Sequence, residues 1–411
     1  MNEPIVIIGA GQAGAELALA LRRGGCTQRI VMKGDEPYLP YRRPALSKGF
    51  LSGKVPESTL YHTTAERLAD NHIEFMPGSR IAHVDPARKL ITSADQKVLR
   101  YSKLAFATGG SPRKIKCPGA DLSNINYLRT IDDARILRKT LTSGTKLVVI
   151  GGGFVGLEIA ATAKEQGADI TVLEAGPRVL RRSTCAEIAA FISEQHRSAG
   201  VKIAVNKQVR AFHSLGTKAV TAVECVDGTV YPADLVVVGI GLIANDELAA
   251  SAGLNVDRGI TVDELGQTSD PDIVAVGDCA NSMNTFCGYR LRLESVQGAM
   301  EQARVAAMTM LGKGIAARSI PTFWSDQYNL KLQMIGVPTD ADQIITRSYP
   351  NRESFAAFYV RNGILKAAHF INGSSDIMAA RRLIMEEIPV SNKNLINPSM
   401  SLNSLLTETA A

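Results

Sequence analysis

The sequence predicts an α/β protein with two Rossmann-like dinucleotide-binding domains followed by a C-terminal α+β domain. Three observations carry that prediction. A glycine fingerprint, Gly9-Ala-Gly-Gln-Ala-Gly14, directly follows the apolar run Ile5–Ile8. A second, Gly151-Gly-Gly-Phe-Val-Gly156, follows Leu147–Ile150 in the same way. Past Pro321 the strand–helix alternation gives way to successive strand-like runs. Each fingerprint leads from a strand into a helix, where unpaired backbone N–H groups and the helix dipole favour a pyrophosphate. Two such cradles imply two dinucleotides, and electrons passing between them.

The first repeat reads strand Ile5–Ile8, glycine turn, helix Ala13–Arg23, strand Arg29–Met32 and the acidic turn Gly34-Asp35-Glu36. An acid about twenty residues beyond the last glycine is placed to meet a ribose hydroxyl. Asp35 and Glu36 both qualify. A loop rich in proline and arginine, Pro37–Lys48, comes next, then a helix near Thr64–Asn71 and a closing strand, Lys103–Gly109. The second repeat has strand Leu147–Ile150, helix Phe154–Gln166, strand Ile170–Leu173, then Glu174. It continues through a helix at Ala186–Arg197 and a hairpin turn at Asp227-Gly228 to the closing strand Leu235–Gly241. Short strands including Ile273–Val276 precede Gly277-Asp278 and a long helix over Leu293–Leu311. The last domain reads as strands Leu330–Ile335, Ile344–Tyr349, Ser354–Val360 and Ile364–Ile371, with a turn at Asn362-Gly363. A helix at Asp376–Glu387 and an irregular tail from Pro389 end it. The expected domains are residues 1–109 with 245–320, then 110–244, then 321–411.

Composition narrows the function classes. The 411 residues are 45% hydrophobic, too long for one core and ordinary for a soluble globular protein. A net charge of +6 from 46 basic and 40 acidic residues is modest. The basic residues are dispersed without interleaved aromatics, which argues against nucleic acid. A local cluster, Arg42-Arg43 with Lys48, suits an acidic protein partner. No apolar run reaches membrane-spanning length, and Glu3 stands where a signal peptide needs basic residues, so a cytoplasmic location is expected. The cysteines, Cys26, Cys117, Cys185, Cys225, Cys279 and Cys287, make no C-x-x-C pair and no metal-site spacing, so no metal is expected. The stretch between Cys26 and Cys117 has none, so the first domain cannot offer a redox-active thiol to a flavin.

These residues resemble the two-dinucleotide-binding-domain flavoproteins of glutathione-reductase-like fold. Within them the chain is similar to the NADH-dependent ferredoxin reductases of oxygenase systems, the putidaredoxin-reductase-like branch. Beyond the fingerprints, the resemblance rests on Tyr41-Arg-Arg-Pro-Ala-Leu-Ser-Lys48, Ala107-Thr-Gly109, Gly277-Asp-Cys-Ala280, Leu293-Glu-Ser-Val-Gln297 and Phe323-Trp-Ser-Asp-Gln-Tyr328. Ala244 and Gly298 depart from it, standing where the family often has proline and asparagine. The resemblance makes residues 1–109 with 245–320 an FAD-binding domain, 110–244 an NAD-binding domain and 321–411 an interface domain. It implies electron transfer from NADH through FAD to an acidic [2Fe-2S] ferredoxin that supplies a monooxygenase or dioxygenase. Alternatives are an NADH-dependent reductase of a small monodehydroascorbate- or quinone-type acceptor, and a redox interaction protein like apoptosis-inducing factor. A monomer and a homodimer both stay open.

For the FAD the resemblance implies Gly9, Gly11, Ala13 and Gly14 at the pyrophosphate, Asp35 at the ribose, Ile81 at the adenine and Arg129 beside the nucleotide. It further implies Asp278 on the ribityl chain and Val296 at the pyrimidine edge, where simple helix packing is the alternative. Lys48 would lie by the flavin, paired with Glu158, and the two are the expected catalytic residues. Glu158 also reads as an acid favoured by the dipole in a first helical turn. For NADH the expected contacts are Gly151, Gly153, Phe154, Gly156, Gly241, Glu294 and Glu174. Glu174 would accept bonds from ribose hydroxyls and repel a 2′-phosphate. Arg178, Arg181 and Arg182 keep NADPH as the alternative. Trp324, the one tryptophan, is either a core aromatic or a group at the exposed flavin edge.

Overall fold

The computed structural model describes residues 3–349 and 353–406. In chain order the elements that position the sites begin with β1 (Ile5–Ile8), α1 (Gln12–Arg23), β2 (Ile30–Lys33), β3 (Ile73–Met76) and β4 (Lys103–Phe106). The repeat is β5 (Lys146–Ile150), α2 (Phe154–Glu165), β6 (Asp169–Leu173), α3 (Ala186–Ser198), β7 (Lys202–Ala204) and β8 (Leu235–Val238). Then come β9 (Ile273–Ala275) and α4 (Val296–Met310). The last stretch has β10 (Thr322–Gln327), β11 (Leu330–Gly336), β12 (Gln343–Ser348), β13 (Phe355–Arg361), β14 (Ile364–Ile371) and α5 (Ile377–Met385).

The chain divides into two compact units. One comprises the residues up to Arg42, Glu57–Ser111 and Leu242–Pro321. The other comprises Arg43–Pro56, Pro112–Gly241 and the residues from Thr322 onward.

In the first unit five parallel strands run in the order β9–β4–β1–β2–β3. Ile5 is in register with Ile30 on one side and Lys103 on the other. Alternate β1 residues face opposite ways: Ile5 and Ile7 join the cluster with α1 and α4, whereas Val6 and Ile8 join Ile81, Val84 and Ile91. A parallel strand covered on both faces needs this unbroken apolar run. Each such buried side chain contributes about 1.5–3 kcal/mol.

The second unit repeats the plan. Its parallel sheet runs β7–β6–β5–β8 and ends in the short strand Ile125–Asn126. Leu147 and Val149 face one apolar cluster, and Val148 and Ile150 the other. The strands after Pro321 form an antiparallel sheet, β10–β11–β14–β13–β12. The turns at Gly228 and at Asn362-Gly363 have the positive φ that hairpins demand.

The observed elements depart from the expected ones in a few places. The closing strand ends at Val238 rather than Gly241, although Gly239 N still donates to Ile150 O. The long helix starts at Val296, because Ser295 caps it by accepting from Gly298 N. A strand, β10, carries the Trp324 segment. The tail from Pro389 is not irregular throughout. It contains short helices at Asn392–Ile396 and Leu402–Leu405, capped by Ser391 and Ser401. The fully buried Arg347 holds this region, donating to the carbonyls of Leu395 (2.6 Å), Asn394 (2.8 Å) and Met400 (3.0 Å). Residues 407–411 of that tail lie outside the described residues.

Candidate active site

The first cradle is built from three glycines with two different jobs. A Cβ at Gly9 (φ +111°) would fall 2.2 Å from Ala107 O, and one at Gly14 would fall 2.0 Å from Gly9 O. The chain's own packing therefore demands both. A Cβ at Gly11 would meet nothing within 4 Å. Gly11 is also the N-cap of α1 and has no capping side chain, so the helix's first N–H groups face that open space. An anionic pyrophosphate fits there. Gly277, 2.9 Å from the Ala13 Cβ by the same measure, brings Asp278 to the start of α1. Gly277 N donates to Gln302 Oε1 at 2.7 Å.

The acids after β2 separate in role. Glu36 accepts from the Tyr41 hydroxyl at 2.5 Å. Asp35 is well exposed and pairs with the exposed Arg80 at 3.0 Å. β2 runs one residue further than expected, to Lys33, whose buried ammonium donates to the Ser79 (2.9 Å) and Ser93 (3.3 Å) hydroxyls. Burial pushes the Lys33 pKa down. Ile81 is buried in the apolar cluster on the second face of the sheet. Val296 is the first residue of α4, and the nearby Glu294 pairs with Arg292 at 2.7 Å.

The second cradle copies the first. Cβ atoms at Gly151 (φ +102°) and Gly156 would fall 2.4 Å from Gly239 O and 2.2 Å from Gly151 O. Gly153, the N-cap of α2, again faces open space. Glu174 follows β6 with both carboxylate oxygens anchored: Oε2 accepts from Gly152 N (2.8 Å) and Oε1 from Gly176 N (2.7 Å). The carboxylate is thus fixed beside the turn. Arg178 is occupied by the carbonyls of Thr184 (2.8 Å), Val179 and Arg181 (both 3.3 Å). Arg182 lies nearest Gly241, which has a φ of +112°. Arg129 is tied at its backbone, N donating to Asp133 Oδ2 (3.0 Å) and O accepting from Arg43 Nη1 (2.7 Å).

Lys48 and Glu158 meet in the second unit. Lys48 Nζ lies 2.8 Å from Glu158 Oε2 and 3.2 Å from Pro44 O. Glu158 is the fifth residue of α2, so it stands beyond the first turn and the expected dipole explanation does not hold. Its buried carboxylate is held by hydroxyls instead: Ser47 donates to Oε2 and Ser325 to Oε1, both at 2.6 Å. Neither serine was foreseen, nor were Gln327 and His196 behind Ser325. Trp324 is half-buried and sits on the opposite face of β10 from Ser325 and Gln327. Phe154 packs against Phe323 with ring centroids 4.6 Å apart and the planes tilted by 33°. Of the expected basic cluster, Arg43 and Lys48 have internal partners, and Arg42 is exposed.

The six cysteines are free thiols, and burial pushes those of Cys117, Cys185, Cys225 and Cys279 up. Among the described residues no group of three or more His, Cys, Asp or Glu side chains is placed to hold a metal. No helix among them is long and apolar enough to cross a membrane.

Comparison with known proteins accounts for almost the whole chain. The pyridine nucleotide-disulphide oxidoreductase family matches residues 3–307, and the reductase C-terminal family matches 322–406. Putidaredoxin reductase from Pseudomonas putida is 39% identical over 414 residues, spanning 100% of this chain and 98% of that protein. The ferredoxin–NAD(P)(+) reductase of Sphingomonas sp is 37% identical over 410 residues, spanning 99% and 98%. The covalent putidaredoxin reductase–putidaredoxin complex contains a chain that superposes with a TM-score of 0.96 at 39% identity, covering 100% of this chain and 99% of that one. The chain belongs to the pyridine nucleotide-disulphide oxidoreductase family, in the ferredoxin reductase group, and is a flavoenzyme that uses FAD and NAD(H).

Proposed function

We propose that this enzyme takes electrons from NADH and delivers them singly, through bound FAD, to a [2Fe-2S] ferredoxin that serves a monooxygenase or dioxygenase in the cytoplasm. The observation that carries this reading is the pair of glycine cradles, each with a middle glycine, Gly11 or Gly153, that faces open space. Flavin, when bound, supplies the change from two-electron hydride to one-electron transfer. Absence of any cysteine between Cys26 and Cys117 speaks against a thiol relay to disulfide substrates.

The residues divide by task. Gly9, Gly11, Ala13 and Gly14 receive the FAD pyrophosphate, Asp35 its ribose, Ile81 its adenine and Arg129 its nucleotide portion. Asp278 and Val296 hold the ribityl chain and the ring edge. Gly151, Gly153, Phe154, Gly156 and Gly241 receive the nicotinamide dinucleotide, with Glu174 on its ribose and Glu294 at the carboxamide. Lys48, anchored by Glu158, stabilises negative charge on the reduced ring. Trp324 guides electrons towards the partner. The FAD-binding domain is then residues 1–109 with 245–320, the NAD-binding domain 110–244, and the interface domain 321–411.

The test is to purify the yellow protein, supply NADH, and compare reduction of candidate ferredoxins with that of ferricyanide and small quinones. A ferredoxin should be reduced fastest, and its rate should fall as salt rises if Arg42 and its neighbours steer an acidic partner. Quinones outpacing every ferredoxin would overturn the reading.

A further inference from the structure

We propose that Tyr328, His196, Gln327 and Ser325 form a one-directional buried hydrogen-bond chain that positions the Glu158 carboxylate, and through it Lys48, for reduction of the bound flavin. The proposal rests on the role given above to the Lys48–Glu158 pair, and makes Ser325, Gln327 and His196 positioning residues.

The direction of the chain follows from what each atom can do. A carboxylate only accepts, so the Ser325 hydroxyl, 2.6 Å from Glu158 Oε1, must donate to it. The Ser325 oxygen then accepts from Gln327 Nε2 at 3.2 Å. That fixes the amide orientation and leaves Gln327 Oε1 facing His196 Nε2 at 2.9 Å, where the ring must donate. His196 is thereby held as the tautomer protonated at Nε2. Its Nδ1 accepts from the Tyr328 hydroxyl at 3.3 Å, with that ring edge-on to the imidazole at 5.0 Å.

Burial makes the order binding. Ser325, Gln327 and His196 are 1%, 3% and 0% exposed, so water cannot replace a missing partner. Burial also pushes the His196 pKa down, which keeps the ring neutral. The three come from β10 and α3, and the carboxylate from α2. On its other oxygen Glu158 takes the Ser47 hydroxyl and the Lys48 ammonium. Its carboxylate is therefore gripped from both sides, and a rotation that weakened the grip on Oε1 would move the anchor of Lys48.

Rapid-mixing reduction of the purified holoenzyme by NADH tests this. Gln327→Leu should slow the limiting rate of flavin reduction about tenfold, the equivalent of one strong neutral hydrogen bond, with the apparent NADH affinity held within about twofold. The visible absorption of the bound flavin should change with it. In a Glu158→Gln background the same substitution should cost less than about twofold more, because its route has already been cut. Full additivity of the two losses, or an unaltered limiting rate in Gln327→Leu, overturns the chain.

Gln327→Leu strands a buried donor, so the wild-type protein supplies a second readout. ¹⁵N shifts of His196, assigned against His196→Gln, should show a neutral ring protonated at Nε2. A ring protonated at Nδ1, or an imidazolium, overturns the chain. The two levels separate cleanly: if Lys48→Met and Glu158→Gln slow reduction and Gln327→Leu does not, only the chain fails. If neither of the first two changes rate or spectrum, the role of the pair fails and takes the chain with it.

Discussion

Lys48 Nζ lies 2.8 Å from Glu158 Oε2, with the lysine side chain 20% exposed and the glutamate 5%. The asymmetry of burial makes the two deletions unequal. Lys48→Met leaves a buried carboxylate with only hydroxyl donors and should destabilise the fold by about 2 kcal/mol, below the usual range for a broken buried pair because the ammonium is partly solvated. Glu158→Gln leaves an ammonium that can still reach Pro44 O and water, and should cost less. Thermal unfolding of the two variants checks the order, and equal losses would contradict it.

The two kinds of glycine in the first cradle make a second contrast. Gly11→Ala adds a methyl group to open space and, because alanine caps a helix less well than glycine, costs about 0.5–1 kcal/mol. The variant should fold with a near-normal apoprotein melting temperature and yet lose most of its FAD. Gly9→Ala drives a methyl group into Ala107 O and should lose both folding yield and flavin. Flavin content by absorbance, measured beside apoprotein melting, distinguishes them. Retention of full FAD content by Gly11→Ala would remove the pyrophosphate from that site.

Glu174 should set the choice of nicotinamide nucleotide. With Gly152 N and Gly176 N already on its oxygens, the carboxylate cannot swing away from a 2′-phosphate. Wild-type kcat/KM should favour NADH, and Glu174→Arg should move the NADH to NADPH ratio towards NADPH by about 100-fold, a loss of a charged acceptor and a repulsion together. Steady-state kinetics with both nucleotides decides the matter; a wild-type preference for NADPH would refute it.

His369 predicts an acid-sensitive stability. It is fully buried, and burial pushes its pKa down to about 3, against about 6.5 in an unfolded chain. Between those values the unfolded state binds the extra proton, so stability falls as the pH drops from about 6.5 towards 3. At pH 5 the cost relative to pH 7 is about 2 kcal/mol. His369→Gln should flatten that slope in urea titrations at pH 5 and pH 7. An unchanged slope would mean that the imidazole is charged in the fold.

The cradles were legible because their requirements are local. A positive φ at Gly9 and Gly151, and a Cβ clash at Gly14 and Gly156, are settled within one strand–turn–helix unit. The Lys48–Glu158 pair was legible through the resemblance, and only the alternative reading of Glu158, a dipole-favoured acid in the first turn, fails, by one helical position. Ser325, Gln327 and His196 went unseen because two of the links that join them to Glu158 are distant in sequence, Ser325 meeting Glu158 across 167 positions and His196 meeting Gln327 across 131. A signal was nevertheless present. Ser325 and Gln327 alternate along β10 as buried polar residues, and a polar side chain on the covered face of a strand needs a partner. The short helices of the tail were missed for a related reason: Arg347, the side chain that binds carbonyls of the first of them and that of Met400 before the second, lies in β12.

Residues 43–56 have a practical consequence for dissecting this enzyme. They are spelled out within the first nucleotide-binding repeat yet cluster with the second unit, where Leu51 is wholly enclosed beside Leu137, Leu147 and Leu157. A gene fragment that ends before the second fingerprint would thus carry an orphaned greasy finger, and one that starts after residue 111 would carry the empty socket. Neither half is a self-sufficient module. Domain-swapped chimaeras between homologous reductases should accordingly take this short loop from the same parent as the nicotinamide-binding half.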